Sequence, residues 1–175
     1  MKKSHLILGL FIIIFFGCNN NSENTKHQNA KDTSSSVELR NSTMKGFKSN
    51  IENNVLKNEN YREVLYTGEH LQLVLMSLKP GEEIGEEIHD KSDQFFRFES
   101  GKGKYIINGN EYDIEGGDAI IVPAGSKHNV INTDAVKELK MYTIYALPQH
   151  KDGIIRATKT DAENNATKFD GKTTE

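Results

Sequence analysis

The chain has 175 residues, a formal net charge of −3 and one cysteine. A single cysteine excludes an intrachain disulfide, and the small net charge, with no basic patch interleaved with aromatics, argues against a nucleic-acid partner. Once the polar ends are set aside, one domain's worth of chain remains, without an internal repeat.

Lys2 and Lys3 open the chain, and residues 6–16 form an almost unbroken apolar run followed by Gly17 and Cys18. The run is below the ~20 residues a membrane-spanning helix needs. It has the length of a signal-peptide core. A small residue followed at once by cysteine resembles the lipobox of bacterial lipoproteins. That resemblance implies a signal peptide over residues 1–17, cleavage before Cys18 and diacylglycerol on its thiol. The membrane is then a partner through this lipid anchor, and the location is the bacterial cell envelope. Each buried acyl CH₂ contributes about 0.8 kcal/mol, so several chains on Cys18 anchor the protein stably. Residues 18–44 are rich in Asn, Ser, Lys and Thr and nearly free of large apolar side chains. Such a stretch reads as a flexible tether with a reach on the order of 25 Å.

Residues 45–160 then carry short β-rich runs at 63–66, 71–78, 84–89, 94–100, 104–108, 111–114, 119–122, 128–132 and 138–147. Gly, Pro and Asn separate them, and Asn108-Gly109 is the strongest hairpin signal because both residues tolerate positive φ. Many short strands at this spacing predict an all-β sandwich or barrel, and the jelly roll fits the count. Residues 161–175 offer no apolar face and read as a frayed tail, although Thr160-Asp-Ala-Glu163 can open a short helix.

Two segments carry the chemistry. The first, 81–101, places Gly81, Glu87, His89, Gln94 and Gly101 at fixed spacings; the second, 117–132, does the same for Gly117, Pro123, Gly125, His128 and Asn132. Together they match the paired signature of the cupins at every spacing, with Glu87 standing where the pattern has its first His and Gln94 where it has its Glu. Over residues 57–160 the chain resembles small single-domain bacterial type 2 cupins of the RmlC-like kind. The resemblance implies a cupin double-stranded β-helix, a jelly-roll barrel. It implies a metal held by Glu87, His89, Gln94 and His128, and homodimer formation through edge strands.

Side-chain alternation is compatible with that ligand set. Glu87 and His89 share a face; so do Gln94, Phe96 and Phe98, and so do His128, Val130 and Asn132. Gln72 and Met76, with Phe96, are candidate pocket residues, and His150 after the last strand is a candidate for closing the barrel mouth. Two imidazoles and one carboxylate form the ligand set of non-haem Fe(II) oxygenases, while Gln94 adds a weak neutral donor. The carboxylate count remains one, as in the parent pattern. The cofactor implied is a divalent metal ion (Fe, Mn, Zn or Ni).

Three functions follow. One is a metal-dependent enzyme of oxygenase or isomerase type acting on a small polar metabolite. The second is a non-catalytic module that captures a sugar-like small-molecule ligand, and the third is a metal-free barrel used for assembly. No Gly-x-Ser-x-Gly elbow or phosphate-cradling Gly loop is present, and Cys18 lies outside the domain, so nucleophilic serine or cysteine chemistry has no support.

Overall fold

The computed structural model describes residues 44–175; the expected signal peptide, Cys18 and all but the last residue of the expected tether lie outside the described residues. Residues Lys45–Glu175 form one compact unit. Its strands are β1 (Arg62–Thr67), β2 (Gln72–Leu78), β3 (Asp93–Ser100), β4 (Lys102–Ile107), β5 (Asn110–Glu115), β6 (Ala119–Val122), β7 (His128–Asn132), β8 (Leu139–Ala146) and β9 (Ile155–Arg156). They pair in a six-stranded sheet, order β6-β3-β8-β2-β1-β9, and a three-stranded sheet, order β5-β4-β7, antiparallel throughout. This is the all-β jelly roll expected from the strand count. Among the described residues no helix is long and apolar enough to cross a membrane.

The core follows from period-2 alternation. On β3, Phe96 and Phe98 are fully buried, while Arg97 and Glu99 form an ion pair at 3.5 Å on the other face. Val74, Met76 and Leu78 of β2, Val130 of β7, Leu139 and Met141 of β8 and Tyr105 of β4 complete the same cluster. Each such side chain contributes roughly 2 kcal/mol when removed from water. The Asn108-Gly109 turn joins β4 to β5 with φ of 48° and 83°, as a two-residue hairpin of this twist requires.

Three expectations need correction. The 84–89 run is not a strand. It makes a single isolated bridge to β7, Glu87 with His128, and Glu83 just before it makes another with Ile131. Four steps along this segment oppose three along β7, a one-residue bulge. Gly85 sits in it at φ 97°, and its N–H donates to the Asn129 side chain at 2.9 Å instead of to a ladder carbonyl. The bulge switches the alternation, so that Ile84 enters the core and Glu87 still faces inward.

A helix not anticipated from the sequence, α1 (Ile51–Lys57), packs against β2, β3 and β8. Asn50 caps it by accepting from the Asn53 N–H at 3.1 Å, and Val55 is its one buried residue. With a single buried position, no apolar stripe marks it in the sequence.

The C-terminal stretch is not frayed. Thr158 caps α2 (Lys159–Asn164), which buries Ala162 in the barrel core. Beyond it, the Phe169 N–H donates to Gln149 O (3.0 Å), and the Thr174 N–H donates to Thr67 O (2.9 Å) while Thr174 Oγ1 accepts from the Thr67 N–H (2.8 Å). Backbone and hydroxyl hydrogen bonds hold this segment where an apolar face is lacking.

Candidate metal centre

The two sequence segments are stitched together by backbone hydrogen bonds. Glu87 and His128 exchange both N–H···O bonds, at 2.9 and 3.0 Å, so their side chains stand opposite each other on one face. The Gly125 N–H donates to His89 O at 3.0 Å, which ties the turn before β7 to the middle of the first segment. One donor atom from each of Glu87, His89 and His128 then lies within 4.8 Å of the others.

Protonation states follow from the surroundings. His128 Nδ1 lies 3.1 Å from Ser126 O. A carbonyl accepts only, so this nitrogen carries the proton and Nε2 presents its lone pair. Burial lowers the His128 pKa, outweighing the Ser126 carbonyl and Glu87, which raise it. Burial pushes the Glu87 carboxyl upward, but the close approach of His89 and the positive charge of Arg62 prevail and hold it below its usual value. Arg62 Nη2 stands 3.8 Å from the carboxylate, and His89 Nε2 stands 3.4 Å from it. A neutral imidazole and an ionised carboxylate are the states that metal binding requires.

Whether a divalent ion suits this place is tested by the buried donors. His89 Nε2 and His128 Nε2 are both buried without an aligned hydrogen-bond partner among the described residues. The Glu87 contact with His89 has ion-pair distance but lacks hydrogen-bond alignment. Gln94 is 2 % exposed, and its amide nitrogen and oxygen are likewise unpartnered. It lies near the Tyr145 hydroxyl without meeting it in hydrogen-bond alignment. Buried polar atoms left unpaired cost about 1–3 kcal/mol each, so their clustering beside a carboxylate fits a site built to receive a cation.

Aromatic rings fix the imidazoles. Tyr145 meets His89 edge-on at 5.3 Å, Tyr105 stacks on His128 at 6.2 Å, and Phe96 reaches His128 at 6.2 Å. A cavity of about 320 Å³ opens beside His89 and is lined also by Arg62 and His150. The Nε2 of His150 lies 3.4 Å from the Tyr145 hydroxyl, and burial lowers its pKa to about 3, so the ring is neutral at ordinary pH.

The other candidate pocket residues are placed differently. Gln72 is fully buried and its amide is fully engaged. It accepts from the N–H of Gln149 (3.2 Å) and of His150 (2.9 Å), and donates to His150 O (2.8 Å) and Thr67 Oγ1 (2.9 Å). It therefore positions the His150 segment. Met76 and Phe96 belong to the apolar core and are not among the residues lining the cavity at His89.

Arg62, Tyr105 and Tyr145 were not anticipated. Arg62 lies two residues before the buried Val64 on β1, and the two tyrosines continue the inward positions of β4 and β8. Alternation alone signalled their direction, and nothing in the sequence distinguished them from core or surface residues.

The cupin domain family profile matches residues 74–145. Protein YrkC of Bacillus subtilis (strain 168) is 43% identical over 155 residues, covering 81% of each chain. Protein L612 of Acanthamoeba polyphaga mimivirus is 38% identical over 122 residues, covering 68% of this chain and 76% of its own. The crystal structure of BH2720 from Bacillus halodurans superposes with a TM-score of 0.67 at 41% identity, covering 70% of this chain and 97% of that one. By profile, by relatives of this identity and by a shared barrel, the chain belongs to the cupin domain family.

Proposed function

We propose that this cupin binds a divalent metal through Glu87, His89 and His128, with Gln94 as a fourth donor, and acts as a metal-dependent enzyme of oxygenase or isomerase type on a small polar metabolite. The observation that carries the reading is the meeting of three donors within 4.8 Å, with both imidazole Nε2 atoms buried and unpaired, beside a cavity that His89 also lines. When bound, the ion supplies Lewis acidity or O₂ activation. The protein residues do the rest. Ser126 O fixes the His128 tautomer, Arg62 keeps Glu87 ionised, and Gln72 holds the His150 segment against the cavity.

Metal analysis of protein purified without a His-tag tests the binding. Stoichiometric metal in the wild type that is lost in both His89→Ala and His128→Ala is the expected result. Metal-free wild-type protein after exposure to Fe, Mn, Zn and Ni overturns it. Anaerobic Fe(II) loading followed by O₂ uptake across diols and oxo-acids tests the oxygenase reading, because two His and one carboxylate are that chemistry's ligand set.

We further propose that the domain sits at the bacterial envelope, lipid-anchored through Cys18. The support is the Lys2-Lys3 start, the apolar run and Gly17-Cys18. Retention of wild-type protein in the membrane fraction and release of Cys18→Ser is the expected result; equal release of both overturns it.

A further inference from the structure

The cavity beside His89 has an unusual charge lining. Arg62, Arg156 and Lys168 all contribute to its wall, and no Asp or Glu among the described residues does, in a chain whose net charge is −3. Arg62 on β1 and Arg156 on β9 are direct cross-strand partners. Like charges placed directly opposite on neighbouring strands are destabilising. Lys168 joins them through its antiparallel bridge to His150.

The cations are poorly neutralised from within. Arg156 donates only to uncharged acceptors, Ile155 O at 3.2 Å, Asn165 O at 2.8 Å and Thr167 Oγ1 at 3.5 Å. Neither Arg156 nor Lys168 has a carboxylate within ion-pair distance among the described residues. Arg62 has Glu87 at 3.8 Å, but its Nε is buried with no partner. Among the described residues, the only carboxylate within ion-pair distance of any of the three cations is thus Glu87, and it reaches Arg62 alone.

We propose that this cavity recognises the anionic oxygen group of a small organic acid or phosphate ester through the Arg62–Arg156 pair and Lys168. An anion between the two guanidiniums removes their repulsion and satisfies donors that now have weak or no partners, and planar guanidinium suits carboxylate and phosphate alike. Ile88, Ile154 and Ala162 supply an apolar wall for the rest of the molecule. The volume of about 320 Å³ lies at the small end of metabolite pockets. His89 belongs to the same wall, so a ligand held by its anionic end directs its remaining atoms at the metal centre. That orientation rests on the metal-binding reading above; the anion selectivity does not.

The test is calorimetric titration of metal-loaded and metal-stripped protein at constant ionic strength. The probes are succinate and glucose 6-phosphate, each against its neutral counterpart, succinamide and glucose. At least one anion is expected to bind roughly ten-fold or more tighter than its counterpart, and which one does so separates a carboxylate from a phosphate ligand. Arg156→Gln weakens that binding roughly ten-fold. Because Arg156 also holds the 165–167 segment, Lys168→Glu serves as a second variant at an exposed position, where charge reversal weakens the anion and leaves the neutral probe unchanged. Anions that bind no better than neutral counterparts, or affinities untouched by both substitutions, overturn the proposal. Metal content is read on the same samples. Anion selectivity in protein that takes up no metal refutes the metal reading alone, and metal uptake without anion selectivity refutes this inference alone.

Discussion

Two buried amides face the barrel interior from opposite ends, and their circumstances differ. Asn132, at the end of β7, is 1 % exposed and fully partnered: its Nδ2 donates to Leu78 O and Lys137 O at 2.9 Å each, and its Oδ1 accepts from the Asp134 N–H at 2.9 Å. Gln94, near the start of β3, is as deeply buried and has no aligned partner among the described residues. The same gradient runs along four strands. From Leu78, Phe98 and Leu139 at the Asn132 end, the inward positions change to Gln72, Gln94, Tyr145 and His128 at the other. The first end is closed by packing and by the fully partnered Asn132 amide. The second carries unmet donors and acceptors, a local departure from foldability rules of the kind expected at a functional site.

The largest test of this contrast uses two glycines of the sequence signature. Gly101, after β3, has φ 91°, and a Cβ there falls 2.5 Å from Glu138 O and 2.8 Å from Leu139 Cα. Gly125, before β7, has φ 77° but open space where its Cβ would stand. Gly101→Ala combines left-handed strain with overpacking against backbone and is expected to lower stability by about 4 kcal/mol. Gly125→Ala carries the strain alone, about 1 kcal/mol. Chemical denaturation of both variants gives the two values, and equal losses break the contrast in packing between the ends.

The amides themselves sharpen it. Asn132→Ala removes three hydrogen bonds and leaves buried backbone groups unpaired, a loss of about 3 kcal/mol. Gln94→Leu in metal-stripped protein removes two unpartnered polar atoms at similar volume, and stability rises by about 1 kcal/mol or more. Opposite signs from two buried amides in one barrel are the signature sought. A Gln94→Leu protein less stable than wild type in the absence of metal means that Gln94 has a structural role after all.

Much of the barrel was legible because its signals are local. Alternation on β3, Asn108-Gly109 and the turn glycines each act within a few residues, and the two spaced segments mark Glu87, His89 and His128 by position. What was hidden depends on pairing across the chain. The bulge at Gly85 exists because the Asn129 side chain takes a ladder bond. The C-terminal stretch is held by Thr67 and Gln149, residues far away in sequence. The arginine pair exists only because the two-residue β9 adds to the sheet edge beside β1, and two residues are too few for any periodicity to show. Gln72 reads as a pocket residue from alternation and becomes a clamp only when the 149–150 backbone arrives beside it.

The smallest effect concerns His150, which that clamp holds at the polar end. Burial lowers its pKa from 6.5 to about 3, with the nearby charge of Arg62 acting in the same direction. Between those values the unfolded chain binds a proton that the folded protein does not. Stability therefore falls as pH drops through 6.5 and continues to fall toward about 3, with a slope from this one group of at most about 1.4 kcal/mol per pH unit. His128, also lowered by burial, adds a slope of the same sign, and the depressed carboxyl of Glu87 adds its own only at lower pH, below the ordinary carboxylate value. The difference between wild type and His150→Gln isolates the group of interest. Urea unfolding across this window is expected to show a flatter pH dependence in the variant, by up to one proton's worth. Parallel curves mean that His150 takes up its proton in the folded state. The ring is then accessible to water and not enclosed between Tyr145 and the cavity wall.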